Sequence, residues 1–141
     1  MKILKLFIAL TMIMILSIPI AATSPKNDDL TITPRGSYSF SANVYPNQSV
    51  QKKNISFNTT AGYAEIDCTS FVGTTGNKVY FTLNDSYGNP VSETGWIDST
   101  GTLTLKYKST APSYVANGSL RIQGSYSNSG YTSVSGMFYP D

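Results

Sequence analysis

The sequence predicts an all-β protein: a single antiparallel β-sandwich of immunoglobulin-like kind, preceded by a signal peptide. Three observations carry this prediction. From Leu30 onward apolar and polar residues alternate with period two, the pattern of half-buried strands. Clusters of Gly, Pro, Asn, Asp and Ser interrupt that alternation roughly every ten residues, as in all-β domains. Outside the first segment, no window shows a helical period. The antibody-type cysteine pair is missing, so only the architecture is predicted. A jelly roll or a small barrel is the alternative.

The first segment has its own logic. Lys2 and Lys5 form a positive start, Leu6 to Leu16 is apolar but for Thr11, and Ser17 and Pro19 break the run before Ala21 and Ala22. That is the layout of a secretory signal peptide, with cleavage expected after Ala22. The apolar stretch falls short of the roughly 20 residues a spanning helix needs and contains a proline. The expected division is therefore a signal peptide over 1–22, a flexible polar lead over 23–29 and a β-sandwich domain over 30–141. The expected location is secreted, with no membrane attachment after cleavage.

The strands follow in order. Leu30–Thr33 and Ser37–Tyr45 are split by Pro34-Arg35-Gly36. Ser49–Thr60 carries Ile55 and Phe57 in phase, and Tyr63–Val72 alternates Ala64, Ile66 and Cys68 against Glu65 and Asp67. Lys78–Asn84 is the clearest strand, with Val79, Phe81 and Leu83 set against Tyr80 and Thr82. Val91–Ile97 holds the only tryptophan, Trp96, and Thr102–Lys108 sends Leu103, Leu105 and Tyr107 inward. Ser109–Asn117 is expected as a loop. Ser119–Ser127 and Tyr131–Tyr139 are expected to flank a hairpin turn at Asn128-Ser129-Gly130.

Composition excludes several chemistries. The chain has no histidine, which removes Ser-His-Asp and Cys-His catalysis and His-ligated zinc. Cys68 is the only cysteine and alternates in phase with Ala64 and Ile66, the position of a small buried hydrophobe. The formal net charge of +2 rests on Lys2 and Lys5, so cleavage leaves a neutral chain. That removes the electrostatic argument for nucleic acid as a partner. No cofactor is implied.

Few groups remain for chemistry. Glu65 and Asp67 share one strand face, and paired carboxylates serve glycosidases. Cross-strand pairing with Lys106 and Lys108 is the ordinary use of such a pair. The turns Asn84–Asn89 and Asp98–Gly101 offer oxygens to calcium, but neither has the spacing of a calcium loop. Turn chemistry accounts for both, and no metal site is assigned. Asn-X-Ser/Thr triplets occur at Asn47, Asn54, Asn58, Asn84 and Asn117, where a eukaryotic secretory pathway would attach glycans.

The strongest binding signal is aromatic. The chain has 10 Tyr, and tyrosine among Ser, Gly and Asn is the composition of adaptable binding surfaces. Trp96, Tyr87, Tyr114 and Tyr131 are the expected ligand-binding residues. The expected function is that of a non-enzymatic extracellular binding or surface-associated module for a glycan or another protein. A secreted effector, either an antibacterial toxin or an inhibitor of an extracellular enzyme, is the alternative. A hydrolase using carboxylates alone is the third reading.

Overall fold

The computed structural model describes Gly36–Pro140, and among these residues every regular element is a strand. The strands are β1 (Tyr38–Val44), β2 (Ser49–Asn58), β3 (Tyr63–Val72), β4 (Val79–Asn84), β5 (Gly95–Ile97), β6 (Gly101–Lys106), β7 (Tyr114–Gly124) and β8 (Thr132–Tyr139). The expected signal peptide, polar lead and strand at Leu30–Thr33 lie outside the described residues.

Two antiparallel sheets form. Sheet I has the order β1-β8-β3-β6 and sheet II the order β2-β7-β4-β5. Their inward side chains make one core. Val44 and Ile66 from sheet I and Ile55, Val79, Phe81, Leu83 and Leu120 from sheet II are fully buried, as are Val134 and Phe138 of β8. Each such side chain removes enough apolar surface from water to contribute about 1.5–3 kcal/mol. Phe40 of β1 meets Phe81 of β4 edge-on at 5.6 Å between ring centroids, which ties one sheet to the other. Cys68 is buried in this core as the alternation expects.

The strand order corrects the finer architecture. Of the connections between consecutive strands, only β4–β5 stays within a sheet; every other one crosses between sheets. In an immunoglobulin-like domain the first two strands share a sheet. Here β1 and β2 do not, and the order is that of a jelly roll, the alternative named above. The expected hairpin at Asn128-Ser129-Gly130 is likewise a crossing, because β7 belongs to sheet II and β8 to sheet I.

What holds that crossing is a reciprocal pair of side-chain amides. Asn128 Oδ1 accepts from the Lys78 backbone N–H at 2.7 Å, and Asn128 Nδ2 donates to the Lys78 carbonyl at 2.8 Å. In return, Asn77 Oδ1 accepts from the Ser129 backbone N–H at 2.9 Å. Asn77 Nδ2 donates to the Ser129 carbonyl at 3.4 Å and to Thr132 Oγ1 at 2.8 Å. Each asparagine thus treats one residue of the other connection as a strand neighbour. Asn77, Asn128 and Thr132 are all buried, the Asn77–Thr132 bond fully and the bonds to the Lys78 and Ser129 backbone in part.

Two departures in strand extent have a common cause. β7 starts at Tyr114 rather than near Ser119, and the β2–β7 register shifts once between Lys53 and Ile55 and again between Ile55 and Phe57. Asn54 and Asn117, both in the left-handed region at φ 62° and 54°, absorb these shifts. The first bulge adds a residue to β2 and the second adds one to β7, so the original pairing is restored. A third irregularity lies between Cys68 and Ser70 of β3, facing β8. There a side chain on Gly136 would collide with the Asp67 carbonyl oxygen, so only glycine fits.

Replacing Asn128 or Asn77 by alanine removes the partner of a part-buried backbone N–H and carbonyl. The expected loss is about 1–3 kcal/mol for either substitution, read as a lowered midpoint in urea or heat. The Asn128→Asp and Asn77→Asp variants should also be destabilised, since a carboxylate cannot donate to the facing carbonyl.

Candidate functional site

The outward face of sheet II follows from the same alternation that builds the core. Val79, Phe81 and Leu83 point inward, so Tyr80 and Thr82 point out; Ile97 points inward, so Trp96 points out. The register then decides which outward side chains are neighbours. Tyr80 is directly opposite Trp96 on β5 and opposite Gln123 on β7, and Gln123 faces Ser49 on β2. In the next row, Thr82 faces Arg121, which faces Gln51. The row after that places Asn84 beside Ser119 and Ser119 beside Lys53.

Hydrogen bonds and a ring contact order this face. Thr82 and Thr94 share a hydrogen bond of 2.8 Å between their hydroxyls. Gln123 Nε2 donates to Asn47 Oδ1 at 3.3 Å. The Lys78 ammonium sits 4.0 Å from the centroid of the Trp96 ring, a cation–π contact worth about 0.5–1 kcal/mol at an exposed site. Trp96 nevertheless remains 46% exposed.

Below the last row the face opens into a groove of about 510 Å³, lined in part by Gln51, Lys53, Ser119, Asn117 and Tyr87. Tyr87 stands at the tip of the β4–β5 connection, 88% exposed. It also lines a smaller cavity of about 220 Å³ with Pro112 and Tyr114. The structure therefore brings Tyr87 and Tyr114 together at one end of the sheet II face and puts Trp96 at the other. Tyr131 is elsewhere. It lies in the β7–β8 connection, its ring 6.1 Å from that of Tyr45, beside a cavity of about 370 Å³ lined by Val72, Thr74 and Gly130 among others.

Sequence reasoning missed Tyr80, Gln123 and Arg121 as members of this face. The signal for Tyr80 was present in its phase opposite Val79 and Phe81. Its pairing with Trp96 depends on register, which alternation does not encode.

The remaining candidates resolve by geometry. Glu65 and Asp67 do lie on one outward face of sheet I, but the register sets Thr104 and Thr102 opposite them. Lys106 faces Tyr63, one pair along on the same outward face, and Lys108 lies beyond β6. The Cys68 thiol donates to the Ser70 carbonyl at 3.2 Å, and burial pushes its pKa up, which keeps it protonated. Of the sequon asparagines, Asn84 is buried. Asn47, Asn54 and Asn117 are exposed and hold left-handed backbone, a conformation asparagine tolerates.

The Asn84–Asn89 turn spends its acidic group internally. The Asp85 carboxylate accepts from the backbone N–H groups of Tyr87 and Asn89 at 2.9 and 2.8 Å, and from Asn89 Nδ2 at 3.1 Å. The Asn89 side-chain bond leads the causes that hold the Asp85 pKa below the usual carboxylate value. This is the Asx-turn that the composition of the segment predicts.

No protein-family model and no curated protein matches the sequence. Among solved structures, the chain is similar to the crystal structure of PirA at a TM-score of 0.43 and 12% identity. That match covers 78% of this chain and 99% of the other.

Asp85 gives a pH test. Its folded pKa is depressed, so its contribution is complete above the ordinary aspartate pKa and is lost as pH falls through its lower folded value. Carboxyl NMR should show Asp85 titrating below ordinary aspartates, and Asp85→Asn should loosen the Tyr87 loop at neutral pH while leaving the core amides protected from exchange.

Proposed function

We propose that the protein is an exported, non-enzymatic binding module that holds a glycan on the outward face of sheet II. The observation that carries the reading is the lateral pair of Trp96 and Tyr80 on an open sheet face, flanked by polar side chains from neighbouring strands. A sugar ring presents an apolar C–H face and a rim of hydroxyls. Aromatic side chains cover the first, and fixed amide and guanidinium donors satisfy the second. Gln123, Gln51 and Arg121 stand where such donors are needed. Strands position them more rigidly than loops would.

Export is part of the same proposal. It rests on the positive, apolar and small-residue layout of 1–22. Mass spectrometry of the protein recovered from culture medium should give a mature chain beginning at Thr23. An intact Met1 in the membrane fraction would overturn that cleavage.

The single tryptophan makes the binding reading directly measurable, because its emission reports on the proposed site alone. Titration with soluble polysaccharides should shift or quench Trp96 fluorescence. Trp96→Ala should weaken binding at least tenfold, the scale of about 1–3 kcal/mol for one lost aromatic platform. Tyr131→Ala, on the β7–β8 connection, should leave binding unchanged. Equal loss in both variants, with folding intact, would sink the assignment to sheet II.

A further inference from the structure

We infer that the ligand of this face is an acidic polysaccharide, a chain carrying carboxylate or sulfate groups; the inference rests on the glycan-binding reading above. The first ground is the distribution of charge. The outward face of sheet II carries Arg121 and Lys53, in phase with the outward residues of β7 and β2, and Lys78, which precedes β4 and lies over the outward Trp96 ring. Two acidic side chains lie near them: Asp85 already accepts hydrogen bonds from its own loop, and Asp98, just past β5, accepts one from the Ser99 hydroxyl. Glu65 and Asp67 are on the outward face of the other sheet. Lys106 shares that other face with them, whereas the three cations of sheet II lie on one face.

The second ground is arrangement. Lys78 immediately precedes β4, and register places Arg121 on β7 opposite Thr82 and Lys53 on β2 opposite Ser119. These positions descend diagonally across three adjacent strands. With a rise of about 3.3 Å per residue and strands about 4.8 Å apart, the backbone steps are about 14 Å and about 8 Å. One extended polymer crossing the strands would pass each cation in turn, with Trp96 and Tyr80 at one end of its path and Tyr87 at the other.

The third ground decides between acidic and neutral sugars. The Lys78 ammonium rests on the Trp96 ring. A neutral sugar stacking on that ring face has to displace the ammonium and offers it only hydroxyl hydrogen bonds in return. An acidic sugar pairs with the displaced ammonium, so the cost of uncovering the ring is offset by a new ion pair. Lys78 therefore acts as a gate that favours anionic ligands, in the way that specificity arises from penalising the wrong partner.

The test compares ligands that differ only in charge. Trp96 emission and calorimetry would be followed during titration of the purified protein with polygalacturonate, its methyl ester, alginate and chondroitin sulfate. Binding to polygalacturonate is expected to be at least tenfold tighter than to the ester, and to weaken as salt is raised. Arg121→Gln and Lys53→Gln should each weaken it about three- to fivefold, with unchanged melting. Lys78→Gln should weaken polygalacturonate binding and strengthen binding of the ester. Equal affinity for the acid and its ester would overturn the acidic inference and leave the glycan reading in place. No binding to any of these polysaccharides, with Trp96 emission unchanged, would overturn both. Binding to an oligo-thymidylate strand or to phosphatidylglycerol vesicles as tight as to polygalacturonate would also overturn it, by showing a general anion surface.

Discussion

The structure depends on the reciprocal clasp between Asn77 and Asn128. A jelly roll passes its chain from sheet to sheet at nearly every connection, and here no internal disulfide fixes any of those crossings: Cys68 is the only cysteine, and it is buried in the core. The β3–β4 and β7–β8 connections run side by side, each leading between the same two sheets. By pairing an amide with a backbone N–H and carbonyl in each direction, the clasp makes the two crossings one unit. Its energetic weight is asymmetric. Each bond adds about 1 kcal/mol net when made, but the buried groups cost more when one partner is removed.

The clasp also reaches the proposed site. Asn128 holds the backbone of Lys78, and the side chain of Lys78 lies over Trp96. A part-buried polar contact thus fixes the main chain of the residue whose ammonium partly shields a surface ring. Framework and binding face meet in one residue, whose main chain serves the first and whose side chain serves the second. The arrangement permits Lys78 to be substituted without touching the clasp, since only its backbone groups take part.

Much of this was legible in the sequence. The alternation in Tyr63–Val72 and Val79–Asn84 gave those strands almost to the residue, because each has one face in a dry core and a one-residue slip would bury Glu65 or expose Phe81. The sheet to which each strand belongs was not legible, since the turn residues at Asn128-Ser129-Gly130 suit a hairpin as well as a crossing. The partner that decides between them, Lys78, is 50 residues away in the chain. The same limit applies to the site. Trp96 and Tyr87 stood out by type, whereas Tyr80, Gln123 and Arg121 joined Trp96 only through register.

The paired bulges in β2 and β7 show how a local irregularity can serve both the core and the face. Lys53 and Ile55 are two residues apart, so an unbroken strand would send both to the same side. The extra residue at Asn54 reverses the phase, which lets Lys53 face outward while Ile55 and Phe57 enter the core. The answering insertion around Asn117 does the same for β7, keeping Val115 inside as Ser119 and Arg121 point out. One bulge alone would have shifted the pairs beyond it, Phe57–Val115 and Asn58–Tyr114, by one residue. With both, that pairing is restored, and the two asparagines are left lining the groove below the outward rows. Their left-handed backbone also explains why asparagine, rather than another polar residue, recurs at these points. Asn47, Asn54 and Asn117 thus have a cause in backbone geometry that is independent of glycosylation.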